Sequence, residues 1–567
     1  MTLTPSMNKS QFSDIIARLQ ARKRLDSEYA IAEAKAIDYN TYIAETEEPS
    51  GNMQATDKYG KLITYNDKQQ EFIDLASTRK SCILIGPAGT GKTTGMQGAV
   101  EKIIQNPDTK ILQAHDHKYL PHGVPGIVIC AFTRRATNNI RRNMTEHMKA
   151  NCITIHKLLE YGPMYYDIVD EKGNEKKTMR FEPMRHRFNP LPLEVSTIIF
   201  EESSMIGTSL YAEVLAAMPP GCQIIFLGDI QQLPPVFGPA ILGFKMLELP
   251  VVELTEVYRQ ALESPIIRLA HRILSGNPIP AAELPEWKFP GQMKITPWQK
   301  KIDSDAALSV TEKLFIKLYE DGAYNPEEDM ILIPFNKQYG TLELNKSIAN
   351  HLARRKQLVT WEVIAGFMKH YFTIGDKVLF DREDAIIEDI FPNPSYTGAS
   401  AQAESHYLDY WGHNNTPTGE KKEYNESATG EDIDFLLAQV SASDDSEDRV
   451  TQSSHHIKLH MLDSDTHKTI TKAAEVNALL LGYALTVHKA QGSEWDKVFV
   501  LFHNSHATMM QRELLYTAVT RAKKELFIIC EKDTFTSAIN RQRIKGNTLA
   551  EKAEYFKGKI ESGDEQS

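Results

Sequence analysis

Two short stretches hold residues that could do chemistry together. The first, "ILIGPAGTGKTT", places Gly86, Gly89, Gly91, Lys92, Thr93 and Thr94 directly after an apolar run. Glycines at those intervals let the backbone turn its N–H groups inward, and a helix beginning there would add the positive end of its dipole. Such a cradle fits phosphate oxygens, with Lys92 neutralising the outer phosphates of a nucleoside triphosphate and the Thr93 hydroxyl on Mg²⁺. The second stretch, "TIIFEESS", ends another apolar run in Glu201 and Glu202. Beside a phosphate loop, Glu201 would hold the metal through its water shell and Glu202 would polarise an attacking water. Taken alone, the same pair is only a strand leaving a core.

Phosphoryl transfer also needs positive charge from outside the loop. Arg259 in "LTEVYRQ" and Arg521 in "LLYTAVTRAKK" are the candidates, although either alone reads more often as a surface salt-bridge residue.

The elements that must position these groups follow from the apolar runs. Between about 64 and 235, "CILIG", "GIVICAF", "TIIF" and "QIIFLG" alternate with helix-length polar segments, the mark of a parallel sheet covered on both faces. "MILIPF", "KVFVLF" and "ELFIIC" imply a second α/β domain, interrupted between roughly 373 and 480. The interruption opens on "FTIGDKVLF", which reads as a strand, and continues into an acidic, Ser/Asn/Gly-rich stretch with the composition of a mobile surface insertion. "YYDIVDEKGNEKKTMRF" has strand-like flanks about Lys172, Gly173 and Asn174 and predicts a β-hairpin. Near the N-terminus, Phe12, Ile15, Ile16 and Leu19 have helical spacing.

A chain of 567 residues should divide into two or three domains. The five cysteines lack CxxC spacing and sit mostly in or beside apolar runs, so core thiols in a reducing compartment are expected rather than zinc ligands or disulfides. No segment has the length of apolar sequence that a membrane helix needs, and the N-terminus lacks a signal-peptide core, so the expectation is cytoplasmic. Net charge is −11, but roughly fifteen acidic residues against three basic ones between Asp384 and Val450 account for it. Overall acidity therefore does not exclude a local basic groove for a polyanion.

In order, "NDKQQ", "GPAGTGKTT", "AFTRRATNNI", "TIHKLL", "FEESSM", "GDIQQLPPV", "LTEVYRQ", "YALTVHKAQGSEWDKV" and "LLYTAVTRAKK" resemble the motif series of superfamily 1 helicases. The forms "QLPPV", "VHKAQGSEW" and "YTAVTRA" resemble the RecD/Dda branch. The resemblance implies an α/β fold of two RecA-like P-loop NTPase domains with an inserted hairpin and an SH3-like β subdomain. It divides the chain into an N-terminal arm (1–60), domain 1A (61–235, hairpin at about 158–190), the first part of domain 2A (236–372), an inserted 2B subdomain (373–480, acidic extension at about 384–450), and the rest of 2A with a tail (481–567).

The same resemblance implies ATP and Mg²⁺ between the domains. Gln69 would read adenine, Lys92, Thr93 and Thr94 would bind phosphate and metal, Glu202 would be the hydrolytic base, and Asp229 and Gln232 would couple the γ-phosphate to the strand. Arg259 and Arg521 would sense phosphate, while Gly492 and Glu494 would face the nucleotide. The family usually has Asp at the position of Glu201, and the extra methylene here puts direct metal contact in question. Single-stranded DNA would be touched by Thr133, Arg134, Thr154, His156, Thr486 and His488, hydroxyls and imidazoles suited to phosphates or to stacking, although either histidine could instead be structural. Tyr165, Tyr166 or Phe181 on the hairpin could meet the first base pair, or be ordinary buried aromatics.

The implied activity is an ATP-dependent DNA helicase moving 5′ to 3′ in replication, recombination or repair. Its partners would be single-stranded DNA, duplex junctions and replication or recombination proteins, and it would act as a monomeric motor without a membrane. The alternatives are a nucleic-acid-stimulated ATPase that displaces bound proteins, or the motor subunit of a nuclease complex.

Overall fold

The computed structural model describes residues 64–562 apart from 114–116, 145, 170–174, 236–238, 257–263, 277–287, 290–292, 299–303, 338, 367, 381–382, 397–451 and 463–464. The N-terminal arm, the Lys172 to Asn174 turn, Arg259 and most of the acidic stretch lie outside the described residues.

Strands β1 (Cys82–Ile85), β2 (Ile127–Ala131) and β3 (Cys152–Thr154) precede a hairpin of β4 (Gly162–Val169) and β5 (Glu175–Glu182), followed by β6 (Thr197–Phe200), β7 (Gln223–Gly228) and β8 (Val251–Glu253). All except the hairpin form one sheet in the order β3-β2-β6-β7-β1-β8, with every pair parallel. Strands covered on both faces must be apolar at each position, which is why "CILI" and "TIIF" are unbroken and buried throughout. The hairpin pairs Gly162 with Glu182 through Val169 with Glu175, as its flanks predict.

Strands β9 (Lys288–Phe289), β10 (Met293–Trp298) and β11 (Met330–Ile333) open the second lobe. An insertion follows: β12 (Thr360–Ala365), β13 (Met368–Thr373), β14 (Lys377–Phe380), β15 (Glu383–Pro392), β16 (Gln452–Met461), β17 (Thr466–Lys472) and β18 (Leu480–Leu481). The lobe then resumes with β19 (Ala484–Thr486), β20 (Trp495–Phe502) and β21 (Ala522–Glu531). Its sheet runs β19-β11-β20-β21-β10-β9, parallel except at β9. The inserted strands make a separate antiparallel sheet. Two α/β lobes and an inserted β unit are thus present, as expected.

Several expected edges move. The first sheet continues past 235, because β8 pairs with β1 and Ile241, Leu242 and Met246 fill that lobe's core. The inserted sheet begins at Thr360 rather than 373, since β12 pairs with both β13 and β16. "FTIGDKVLF" is not one strand: Gly375 takes φ 92°, and the Asp376 carboxylate accepts from the Thr373 N–H at 2.7 Å, turning the chain between β13 and β14. The expected acidic extension does not start at 384, because Asp384 lies within β15 and is buried.

The C-terminal tail also leaves its own lobe. Helix Leu549–Glu561 crosses to the first lobe, where Ile544 and Phe556 join the core. A Cβ on Gly243 would stand 2.1 Å from the Phe556 ring, so only glycine allows that approach. Truncation by Phe556→Ala should cost about 3 kcal/mol of first-lobe stability, read as a lower urea midpoint in circular dichroism.

Candidate functional site

The loop after β1 is built as its glycines demand. Gly89 and Gly91 take φ of 82° and 81°, where a side chain would be strained, and Gly86 has no room for a Cβ, which would meet Leu254 O at 2.7 Å. Gly91 caps helix Lys92–Ile104, so the helix N-terminus opens onto the loop, with Thr94 half-buried in its first turn. Lys92 Nζ donates to Gly86 O at 2.8 Å and Pro87 O at 3.2 Å, folded over the loop it serves. Gln69 is fully buried; its Oε1 accepts from Asn66 N, and its Nε2 donates to Gly91 O at 3.0 Å. That amide, expected at adenine, therefore also braces the phosphate loop.

Glu201 and Glu202 follow β6 at the same C-terminal sheet edge. Thr93 Oγ1 lies 3.4 Å from Glu201 Oε1, bringing the two expected metal-side oxygens together. Glu202 takes φ 52° and ψ 41°, a left-handed conformation that costs a non-glycine residue roughly 1 kcal/mol. Its Oε2 is buried with no hydrogen-bond partner among the described residues. A strained backbone carrying an orphaned carboxylate oxygen suits a group that must act on a ligand. This donor set, with the Thr93 hydroxyl, fits a hard divalent cation beside phosphate.

Asp229 and Gln232, after β7, are both buried. Asp229 Oδ1 accepts from Gln231 N at 2.9 Å, while its Oδ2 accepts from the hydroxyl of Tyr516, a residue of the second lobe, at 2.5 Å. Gln232 Oε1 is buried without a partner among the described residues. Leu233 N donates to Thr517 Oγ1 at 3.0 Å, and Gln491 Nε2 donates to Leu233 O at 2.8 Å. Arg521 follows the same helix as Tyr516, but its guanidinium donates to Thr517 O, Ser493 O and Thr520 Oγ1 of its own lobe.

Gly492, expected to face the nucleotide, packs against the first lobe. Its O accepts from Asn139 Nδ2 at 3.0 Å, and a Cβ there would stand 3.1 Å from Thr133 Oγ1, so it abuts the first lobe's expected strand-contacting helix. Glu494 lies 3.6 Å from Lys523, near enough to Glu201 for its charge to be felt there.

Thr154 and Thr486 end strands and Thr133 caps the helix that follows β2; each hydroxyl accepts a backbone N–H, from Lys157, Lys489 and Ala136 respectively. Their O–H groups keep the capacity to donate. Arg134 is exposed, and His156 lies in edge contact with Tyr161. Burial, helped by the Arg543 cation, holds the His488 imidazole down to about 4, so it is neutral near pH 7. The hairpin strands are present, but the side chains of Tyr165, Tyr166 and Phe181 lie outside the described residues.

Sequence reasoning passed over Arg135, although it sits inside "AFTRRATNNI". Its guanidinium lies 2.6 Å from Asp384 Oδ2, donates to Ser493 Oγ at 3.1 Å, and stands 4.9 Å from the Trp495 ring centroid. Burial works to raise the Asp384 carboxyl, but Arg135 and Lys377 overcome it and hold it below the ordinary range. Asp384 was hidden in the acid-rich count, where one buried carboxylate leaves no local signal.

Burial and the Glu202 charge, against the pull of Lys92, hold the Glu201 carboxyl well above the ordinary range. The folded chain therefore keeps a proton that the unfolded chain has released, so stability is lost as pH rises from the unfolded value through the folded one. Glu201→Gln, which stays neutral, should melt about 3 °C or more above wild type at pH 8 in chelator, with the gap closing near pH 4, checked by calorimetry.

Among known proteins, a family described as "AAA domain" matches residues 69–238, and one described as "UvrD-like helicase C-terminal domain" matches residues 481–529. The ATP-dependent RecD2 DNA helicase of Deinococcus radiodurans is 28% identical over 489 residues, covering 85% of this chain but 51% of that protein. The chain thus spans about half the length of this relative. The RecBCD enzyme subunit RecD of Mycobacterium tuberculosis is 23% identical, covering 85% of this chain and 72% of the relative. The ATP-dependent DNA helicase dda of Enterobacteria phage T4 is 28% identical over 34% of this chain and 37% of its own. With nine ordered motifs along the sequence and two α/β lobes, the chain is similar to helicases of the RecD and dda kind over most of its length.

Proposed function

We propose that the chain is an ATP-dependent motor that moves 5′ to 3′ along single-stranded DNA and unwinds duplex, in replication, recombination or repair. The seam between the lobes carries this reading. There, the phosphate loop donates a hydrogen bond from Ala88 N to Tyr516 of the second lobe, while Gly492 of that lobe abuts Thr133 at the strand-side edge. A nucleotide and a strand on opposite ends of one seam can each sense how the lobes sit. The named activities of the RecD2 and dda relatives support the same reading.

In this reading the loop's N–H groups and Lys92 hold the triphosphate, with Lys92 Nζ exchanging its carbonyl partners for phosphate oxygens. Mg²⁺, held by Thr93 Oγ1 and Glu201, would supply the charge that offsets the β- and γ-phosphates. Glu202, with its orphaned oxygen, orients and deprotonates water. Arg259 and Arg521 would sense the transferring group, the second reaching across from the other lobe, which requires Arg521 to give up carbonyl contacts within its lobe. Gln69 and Glu494 frame the base and ribose ends. Thr133, Thr154 and Thr486 donate to strand phosphates; His156 and the neutral His488 donate or stack without adding charge, so the grip stays light enough to step. The β4/β5 hairpin serves as the separating pin, the inserted sheet is the 2B subdomain, and the motor works as a monomer.

The test pairs 5′-tailed and 3′-tailed duplexes with ATPase assays. Wild type should release the complementary strand from the 5′-tailed substrate, and Lys92→Ala should lower turnover by about a hundredfold or more. Equal unwinding from 3′ tails would overturn the polarity. Strand-stimulated hydrolysis without strand release would favour an ATPase that displaces bound proteins.

A further inference from the structure

We propose that the Tyr516 hydroxyl is a positioning group that joins the phosphate loop to Asp229 across the lobes, so that strand-stimulated ATP hydrolysis depends on it. The proposal rests on the motor reading above and adds a residue to it. Tyr516 stands in helix Arg512–Val519, fully buried within the second lobe's core. Its oxygen nevertheless makes two contacts with the first lobe, accepting from Ala88 N at 2.8 Å and donating to Asp229 Oδ2 at 2.5 Å. A hydroxyl can accept from an amide and donate to a carboxylate at once, which neither phenylalanine nor a second carboxylate could do here.

Both ends of this relay are fixed. Ala88 lies between Gly86, which has no room for a Cβ, and Gly89, held at positive φ, so its N–H has little freedom. Asp229 begins the segment that ends at Leu233, whose N–H and C=O are bound by Thr517 and Gln491. Gln491 is followed by Gly492, whose O accepts from Asn139 beside the strand-side helix. A run of contacts therefore leads from the phosphate loop through Tyr516 and Asp229 towards the expected strand edge. Burial, then the Asp229 charge, pushes the phenol well above its ordinary range, so the donor proton is retained.

Contiguity alone does not demonstrate coupling, so the test measures it. Full-length wild type, Tyr516→Phe and Phe556→Ala are compared for ATP turnover with and without an oligo-dT strand, for KM and kcat, and for melting temperature. Tyr516→Phe should lower the ratio of strand-stimulated to unstimulated kcat by about tenfold or more, while KM for ATP shifts less than about threefold. Phe556→Ala loosens the tail's packing without touching the relay and should keep that ratio within about twofold of wild type. Normal stimulation in Tyr516→Phe, or an equal loss in Phe556→Ala, overturns the relay while the motor stands. A wild type whose hydrolysis ignores the strand overturns both.

Discussion

The two lobes meet on a segment that belongs by sequence to one and by contact to the other. Leu233 follows β7 of the first lobe, yet its side chain is buried in the second lobe's core and both of its backbone polar groups are bound there. A buried backbone group that loses its partner costs about 1–3 kcal/mol, so this segment follows the second lobe closely. Asp229, at its other end, stays beside the phosphate loop. The segment thus runs from the place where the nucleotide chemistry is expected into the second lobe's core.

The expected chemical groups share one address because of how parallel strands end. The loop after β1, Glu201 and Glu202 after β6, Asp229 after β7, Thr133 after β2 and Thr154 at the end of β3 all lie at the C-terminal edge of the first sheet. Helix N-termini open there, offering N–H groups and positive dipole ends to anions. In the second sheet Thr486 ends β19, and its hydroxyl receives the N–H of Lys489 across a turn.

Around this edge, long-range contacts hold parts that local sequence would leave loose. Arg135 and Asp384 form a buried ion pair that ties the inserted sheet to the first lobe, with Ser493 and Trp495 of the second lobe completing the junction. Burying such charges is tolerable only because each finds the other, and that mutual need fixes the position of the insertion. The tail acts similarly through packing: Arg512 and Glu513 hold the segment leading out of the second lobe, and Phe556 closes onto Gly243 of the first.

How much was legible follows from how local each signal is. The phosphate loop, the Glu201 and Glu202 pair, the alternating strands of both lobes and the hairpin were all readable, because glycine spacing and unbroken apolar runs state their backbone requirements within a few residues. The sheet edge past 235, the break at Gly375, the tail's crossing and the burial of Asp384 were not, since each depends on a partner far along the chain. Tyr516 shows the limit most plainly: it stands within "LLYTAVTRAKK", but its partner Asp229 is 287 residues away, and no local pattern announces a hydroxyl's destination. The sequence by itself determined which residues could bind phosphate and which segments must be buried, because those follow from side-chain chemistry and backbone freedom. Only the tertiary structure decided which groups face each other across the lobes, because burial leaves a polar atom costly until folding supplies its partner.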